Sequence, residues 1–299
     1  MTNTPLLTES PAALAALKHV EVLYTDLDGT LLAPGGALLS DAAGAPSVRT
    51  AEAIVALRRA GLTVVPVSGR TRVQLTELAR LLGWSDFLAE MGCVSVRGAG
   101  PGRVISYNIG SWPADLLGEG ETPYDAIRES GALTALQQAF PGRIEYHTPW
   151  HHSREATHLL RGCLDRDAAQ AVLDELELPV QILDNGLVHP PSHGLGCLDP
   201  IHAYHLTAAG TSKTQAIALD LASRGLSKAQ AAAIGDSASD LSMSASVGVT
   251  ALVANAFDSP SLLEALPLQA AETIVRLEGE RGDGWAHFAD AWIAARAGR

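Results

Sequence analysis

The chain is predicted to be an α/β protein: a doubly wound, parallel-sheet (Rossmann-like) domain interrupted by an inserted α+β domain. Three observations predict this. The apolar runs Val20-Glu21-Val22-Leu23-Tyr24, Leu62-Thr63-Val64-Val65-Pro66-Val67 and Ala231-Ala232-Ala233-Ile234-Gly235 read as strands, and amphipathic helical stretches alternate with them. Between about residues 85 and 205 that alternation gives way to short mixed strands and helices. Beyond 205 it resumes.

From 20 to 83 the pattern is strand, loop, helix, strand, helix. Ser47 reads as the N-cap of a helix carrying Ile54 and Leu57 on one face, with Gly61 as its stop. Leu75, Leu78, Leu81 and Leu82 form the stripe of the next helix. Such a βαβα unit implies parallel pairing with right-handed crossovers. In the insert, Phe87-Leu88-Ala89-Glu90 and Cys93-Val94-Ser95-Val96 flank a hairpin-like break at Met91-Gly92, and Arg103-Val104-Ile105-Ser106-Tyr107 follows. Helical stretches at 124–139 and 167–176 are interleaved with strands at 143–146 and 180–183. After His202-Ala203-Tyr204-His205-Leu206 come a helix at about 213–224, the 231–235 strand, a short helix after Asp240 and a strand at 248–253. Residues 273–275 read as an edge strand and 285–295 as a closing helix. The division expected is 1–84 with 206–299 as one domain and 85–205 as the other.

A chain of 299 residues with 47% hydrophobic and 18% charged residues has the makeup of a globular protein. Its net charge of −12 disfavours nucleic acid or an anionic membrane as principal partner, while leaving room for a small anion held by a local cation. Cys93, Cys163 and Cys197 are odd in number and lack metal-ligand spacing, which reads as buried reduced thiols in a cytoplasmic protein. The apolar stretch at 11–17 follows acids rather than a basic segment, unlike a signal peptide, and no run is long enough to span a bilayer.

Four segments carry chemistry. Asp26-Leu27-Asp28-Gly29-Thr30 puts two acids at the end of a strand, the edge where open α/β sheets place ligands, and Gly29 allows a sharp turn. Ser68-Gly69-Arg70 ends the second strand with a hydroxyl and free N–H groups suited to a phosphate. Lys213 opens a helix, where a cation opposes the macrodipole and so calls for another explanation. Gly235-Asp236 ends a third strand, with Asp240 four residues on. Singly, each has a structural reading: a turn, a sheet cap, a solvated helix residue, a loop acid. Their ordered set points to phosphoryl chemistry.

These motifs, in this order, resemble those of the haloacid dehalogenase-like (HAD) phosphohydrolases, and the insert before Lys213 resembles their C2-type cap. Ala254-Asn255-Ala256 and Gly282-Asp283-Gly284-Trp285 resemble the Cof-type branch, and Glu90-Met91-Gly92 its Glu-Asn-Gly. The resemblance implies a Mg²⁺-dependent phosphatase acting on a small phosphorylated metabolite, with Asp26 as nucleophile and Asp28 as general acid/base. It implies that Ser68 and Lys213 hold the phosphoryl group; Gly69, Arg70 and Asn255 read as further phosphate or substrate contacts, with a cap on the sheet edge as the rival reading of Arg70 and a strand-end turn as that of Asn255. The metal would be held by Asp26, Asp236 and the Asp28 carbonyl, with Asp240 orienting metal-bound water. Departures from the branch are Ser239 where Asn is common, Thr214 where Gly is common, and a longer loop at 33–46.

A carboxylate attacks a dianionic ester only where a cation offsets the repulsion, a task suited to Mg²⁺ with oxygen ligands. The alternatives are a phosphomutase of the phosphomannomutase type and a binding protein without turnover. In the cap, His147, His151, His152 and His158 with Arg154 and Arg161 read as donors for a sugar or carboxylate leaving group, as a zinc site, or as scattered polar residues on the surface helices of the cap. Glu90 and His205 fall near the domain crossovers, where either could line the cleft. The chain is expected to act as a monomer or homodimer, without nucleic acid or membrane.

Overall fold

The computed structural model describes residues 4–190, 192–196, 200–269 and 272–298. Its strands are β1 (Val22–Thr25), β2 (Thr63–Pro66), β3 (Phe87–Ala89), β4 (Val94–Arg97), β5 (Val104–Tyr107), β6 (Ile144–Tyr146), β7 (His158–Gly162), β8 (Val180–Val188), β9 (Ile201–Ala208), β10 (Ala231–Gly235), β11 (Val249–Leu252) and β12 (Ile274–Arg276). A five-stranded sheet runs β12-β11-β10-β1-β2, parallel throughout. The chain passes from β1 to β2 on one side and returns to β10 on the other. The strand order therefore reverses at β1, and the crevice beyond the carboxyl ends of β1 and β10 is the switch point where such sheets bind ligands.

β1, β10 and β11 are buried along their whole length because helices cover both faces, as in other parallel sheets. On one face the helix Arg281–Ala297 buries Trp285, Phe288 and Trp292 against Leu23, Ile234 and Val275. Trp285 Nε1 donates to Thr25 Oγ1 at 3.1 Å and Trp292 Nε1 to the Val20 carbonyl at 3.2 Å, so the closing helix fixes β1 at both ends. On the other face the helix Lys213–Arg224 packs Ala216, Ile217 and Leu221 against Val22, Tyr24 and Ala233.

Two smaller sheets follow, β3-β4-β5 and β6-β7-β9-β8, both antiparallel. Phe87, Ala89, Val94 and Val96 pack in the same cluster as Leu23 and Trp285. Leu88 also bridges Val67 in parallel. The strand pattern thus changes near residue 85, but apolar packing stays with the main body through β4. A separate cluster forms further on, where the helices Pro123–Glu129, Ala132–Ala139 and Arg166–Leu173 cover Leu160, Ile182, Tyr204 and Leu206. The period-2 alternation of β7 and β9 sends Leu160 and Tyr204 into that cluster and their neighbours Leu159 and His205 to the opposite face.

Local differences from expectation have local causes. The 124–139 stretch is two helices because Gly131 sits between them at φ +78°. The helix expected after Ser47 is Arg49–Arg59, and its N-cap is Val48 rather than Ser47, which corrects that expectation; Ser47 Oγ accepts from the Arg49 N–H at 3.3 Å, one position outside the cap. Cys93 is a buried free thiol, but Cys163 is disulfide-bonded, which corrects the expectation of three reduced thiols; Cys197 lies outside the described residues.

Candidate active site

The register of the sheet brings the motif residues to one edge. Thr25 pairs with Ile234 of β10 and with Pro66 of β2, so Asp26, Asp236 and Ser68 all emerge at the same carboxyl end. Lys213, first residue of its helix after the capping Ser212, reaches the same point. Its ammonium donates to Asp26 Oδ1 and to Asp240 Oδ1, each at 2.7 Å, and all three side chains are buried. Burial pulls the Lys213 pKa down, but Asp240 and Asp26 outweigh it and hold the ammonium well above its ordinary value.

One ammonium faces three acids. Oxygens of Asp26, Asp236 and Asp240 lie within 4.8 Å of one another, the one such grouping of metal-capable side chains among the described residues. Burial raises the Asp26 pKa well above the usual range; Lys213 opposes this, and Asp240 and Asp236 add to it. Asp236 is pushed up to about 6, chiefly by burial and then by Asp240. Clustered buried carboxylates with too little positive charge are the surroundings a hard divalent cation relieves, so this donor set fits Mg²⁺.

The hydrogen bonds show which oxygens are free for a metal. Asp240 Oδ1 accepts from Lys213, while Oδ2 accepts from the N–H groups of Asp236 and Ser237 and from Ser237 Oγ. Asp240 is therefore spent on shaping the loop. Asp236 accepts from Thr30 Oγ1 at 2.9 Å through Oδ1 and turns Oδ2 toward Gly29. A Cβ on Gly29 would stand 2.4 Å from that oxygen, and Gly29 holds φ +88°, so both space and backbone require glycine there.

Asp28 points away from the acid cluster. Its carboxylate accepts from Arg70 Nε at 2.8 Å and Nη2 at 2.5 Å and is the most open of the motif acids, with 56% of its side chain exposed. Ser68 is buried, and its Oγ accepts from the Arg70 N–H at 3.2 Å. The Ser68-Gly69-Arg70 loop is held by the next turn, since Glu90 N–H donates to the Arg70 carbonyl and Met91 N–H to that of Ser68. Glu90 and Met91 adopt φ of +51° and +62°, a conformation costly for side-chain-bearing residues that the surrounding bonds must hold in place.

These residues border a cleft of about 680 Å³ between the five-stranded sheet and the β6-β7-β9-β8 sheet. Asp26, Asp28, Ser68, Gly69, Arg70, Lys213, Asp236 and Asp240 line it. Asn255 does not, which corrects its expected place at the phosphate. Its Nδ2 donates to the Gly29 carbonyl and its Oδ1 accepts from the Arg281 N–H, each at 2.9 Å, tying the Asp26 loop to the closing helix. Glu90 is also withdrawn from the cleft. It accepts from the N–H groups of Glu155, Ala156 and Thr157 and from Thr157 Oγ1.

The cap histidines separate. His147 lines the cleft with a buried, unpartnered Nδ1. His158 stacks on Tyr124 with centroids 3.8 Å apart, bonds the Tyr124 carbonyl and Tyr146 hydroxyl, and is pushed down to about 4 by burial. His151 stacks against Tyr146 and His152. Among the described residues they form no metal-capable group. Trp150, Asn185, Leu187 and Gly36 also line the cleft and were missed; cap strands and exposed loops carry no phosphate motif to single them out.

No model of a known protein family matches the sequence. The chain is 26% identical over 238 residues to a phosphoglycolate phosphatase of Methanoculleus marisnigri, covering 79% of this chain and 85% of that one. Its fold matches the sucrose-phosphatase of Synechocystis sp. PCC6803 with a TM-score of 0.59 at 15% identity, over 92% of this chain and 98% of that one. It matches a phosphatase of the haloalkanoate (HAD) superfamily from Bacteroides thetaiotaomicron with a TM-score of 0.58 at 17% identity, over 93% and 96%. The fold is thus that of the haloacid dehalogenase-like phosphatases, as the motif resemblance implied.

Proposed function

We propose that this protein is a Mg²⁺-dependent phosphoric monoester hydrolase acting on a small phosphorylated metabolite, a sugar phosphate or a phosphorylated carboxylic acid. The observation that carries the reading is the meeting of Asp26, Asp236 and Lys213 from three separate segments at one sheet edge. The relatives named as phosphatases support it. A metal held by Asp26, Asp236 and the Asp28 carbonyl would supply the positive charge that lets an anionic nucleophile meet an anionic ester.

In this reading Asp26 attacks phosphorus and carries the phosphoryl group as an aspartyl-phosphate, which splits the hydrolysis into two steps. Lys213 stabilises charge on the nucleophile and on the equatorial phosphoryl oxygens, and the Ser68 hydroxyl and Gly69 N–H donate to those oxygens. Asp28, released from Arg70 as the ester enters and protonated from solvent, gives that proton to the departing alkoxide and, ionised again, takes one from the attacking water. Arg70 is then free to meet the phosphate. Asp240 holds Lys213 and the Asp236 loop in position.

The catalytic body is assigned to 1–84 and 206–299 and the cap to 85–205, with 85–97 packed against the body. Cap closure would exclude bulk water. Among the described residues no helix is long and apolar enough to cross a membrane. A cytoplasmic location belongs to this reading; the Cys163 disulfide weighs against it, and cell fractionation tests it. The activity is tested by phosphate release from a panel of phosphate esters, with and without Mg²⁺, for the wild type and Asp26→Asn. Metal-dependent release lost in the variant supports the reading. Equal inactivity of both proteins makes this a binding protein, and isomerised sugar phosphate without free phosphate makes it a mutase.

A further inference from the structure

His205 is 1% exposed, yet it lines the cleft beside Gly69. Its Nδ1 lies 3.4 Å from Thr157 Oγ1, and the other contacts of that oxygen decide which atom carries the hydrogen. Thr157 Oγ1 donates its single proton to Glu90 Oε2 at 3.0 Å and accepts from Arg154 Nη1 at 2.9 Å. Glu90 Oε2 also accepts from the N–H groups of Ala156 and Thr157, which leaves it no room to donate. A hydroxyl has one proton and two lone pairs. With the proton on Glu90 and one lone pair on Arg154, the remaining lone pair faces His205, so Nδ1 must be the N–H.

In a neutral imidazole the other nitrogen is then a bare acceptor. The ring is neutral: burial, reinforced by Arg154, Lys213 and His147, holds its pKa well below the ordinary value. Nε2 makes no hydrogen bond among the described residues, and it lies 3.3 Å from where a Cβ on Gly69 would stand. The cleft cations are already engaged. Arg70 is on Asp28 here and, in the reading above, on the phosphate once an ester enters; Lys213 is on Asp26 and Asp240, and Arg154 donates to Trp150 O, Thr157 Oγ1 and Gly69 O.

We propose that His205 is a specificity-determining residue whose Nε2 accepts a hydrogen bond from a hydroxyl of the leaving group, so that the cleft takes a phosphorylated sugar or polyol in preference to a phosphorylated carboxylic acid. A carboxylate there would face a lone pair with no uncommitted cation to offset it. A hydroxyl supplies the proton that Nε2 lacks. The inference rests on the phosphatase reading above and chooses between its two substrate classes.

Steady-state kinetics with a hexose phosphate, phosphoglycolate and p-nitrophenyl phosphate test it, alongside ¹⁵N NMR of the His205 ring. The wild type is expected to favour the hexose phosphate over phosphoglycolate in kcat/KM. His205→Phe, which keeps the ring's bulk, is expected to lower that ratio by about tenfold or more, mainly through KM. Thr157→Val, which frees the tautomer, is expected to lower it as well, whereas Thr157→Ser retains it. The NMR spectrum should show a protonated Nδ1 and a bare Nε2. A wild-type preference for phosphoglycolate, a protonated Nε2, or equal losses on all three esters overturns this inference alone. No turnover of any ester overturns the phosphatase reading beneath it.

Discussion

Replacing Lys213 with methionine would leave Asp26, Asp236 and Asp240 facing one another without an ammonium. Lys213→Met is therefore expected to lower kcat on any accepted ester by about 10²–10³-fold, the usual cost of one charge-stabilising group. Asp26→Asn, which removes the proposed nucleophile, is expected to cost about 10⁴-fold or more. Single-turnover phosphate release measures both, and near-normal rates would refute the assigned roles. The raised pKa of Asp236 has a definite sign. Its folded value of about 6 lies above the ordinary 3.8, so the folded state binds the proton more tightly. The group's contribution to stability accordingly falls as pH rises between those values. Mg²⁺ binds the ionised form, so the thermal stabilisation it gives should be larger at about pH 7.5 than at about pH 5. Equal shifts in a melting experiment would count against Asp236 as a ligand. At this scale the motif acids were legible because each follows an apolar strand. Asn255 was not, because its partner Gly29 is 226 positions away in the chain.

Strand ends and their turns set the geometry that the residues use. β1, β2 and β10 end level, and the tight turn at Gly29 lets the Asp26 loop lie against the Asp236 carboxylate. Gly29→Ala should push that carboxylate aside and weaken metal binding by roughly tenfold or more, as changes behind a metal ligand generally do. A metal titration would check this, and unchanged affinity would contradict the close approach. In the cap, His158 opens β7 and packs against Tyr124 of the helix Pro123–Glu129, with its pKa held near 4. The unfolded chain takes up a proton near pH 6.5 that the folded ring refuses, so stability from this group is lost as pH falls from about 6.5 toward 4. His158→Phe, which keeps the stacking surface for Tyr124, should flatten that loss in acid unfolding curves. Identical curves would show that the ring's titration plays no part. Element types came through well from periodicity. The 213–224 helix and the 231–235 strand stand where the apolar pattern put them. The expectation for the cap histidines failed to separate His147 from His158, because the face each takes depends on strand register rather than composition.

The two halves of the molecule are joined by a polar hinge. Glu90 reaches the backbone at 155–157, Arg154 reaches the Gly69 carbonyl beside the phosphate loop, and Arg72 pairs with Glu155. Burial pushes the Glu90 carboxyl up, while Arg154, the N–H groups of Glu155 and Ala156 and the Thr157 hydroxyl favour its ionised form. Glu90→Ala would strand those N–H groups and leave Arg154 buried without a counter-charge, at an expected cost of roughly 3 kcal/mol or more. Urea denaturation measures it, and a loss below about 1 kcal/mol would show that the hinge is not held this way. The amino-acid order by itself determined the alternation of strands and helices and the identity of the acids and lysine at strand and helix ends, because these follow from local periodicity and turn chemistry. Only the tertiary structure decided that Asp240 bonds Lys213 and the Asp236 loop, that Asn255 ties two loops together, and that His205 lines the cleft beside Gly69. Those outcomes depend on which donors meet which acceptors across long stretches of chain, and no local pattern encodes that pairing.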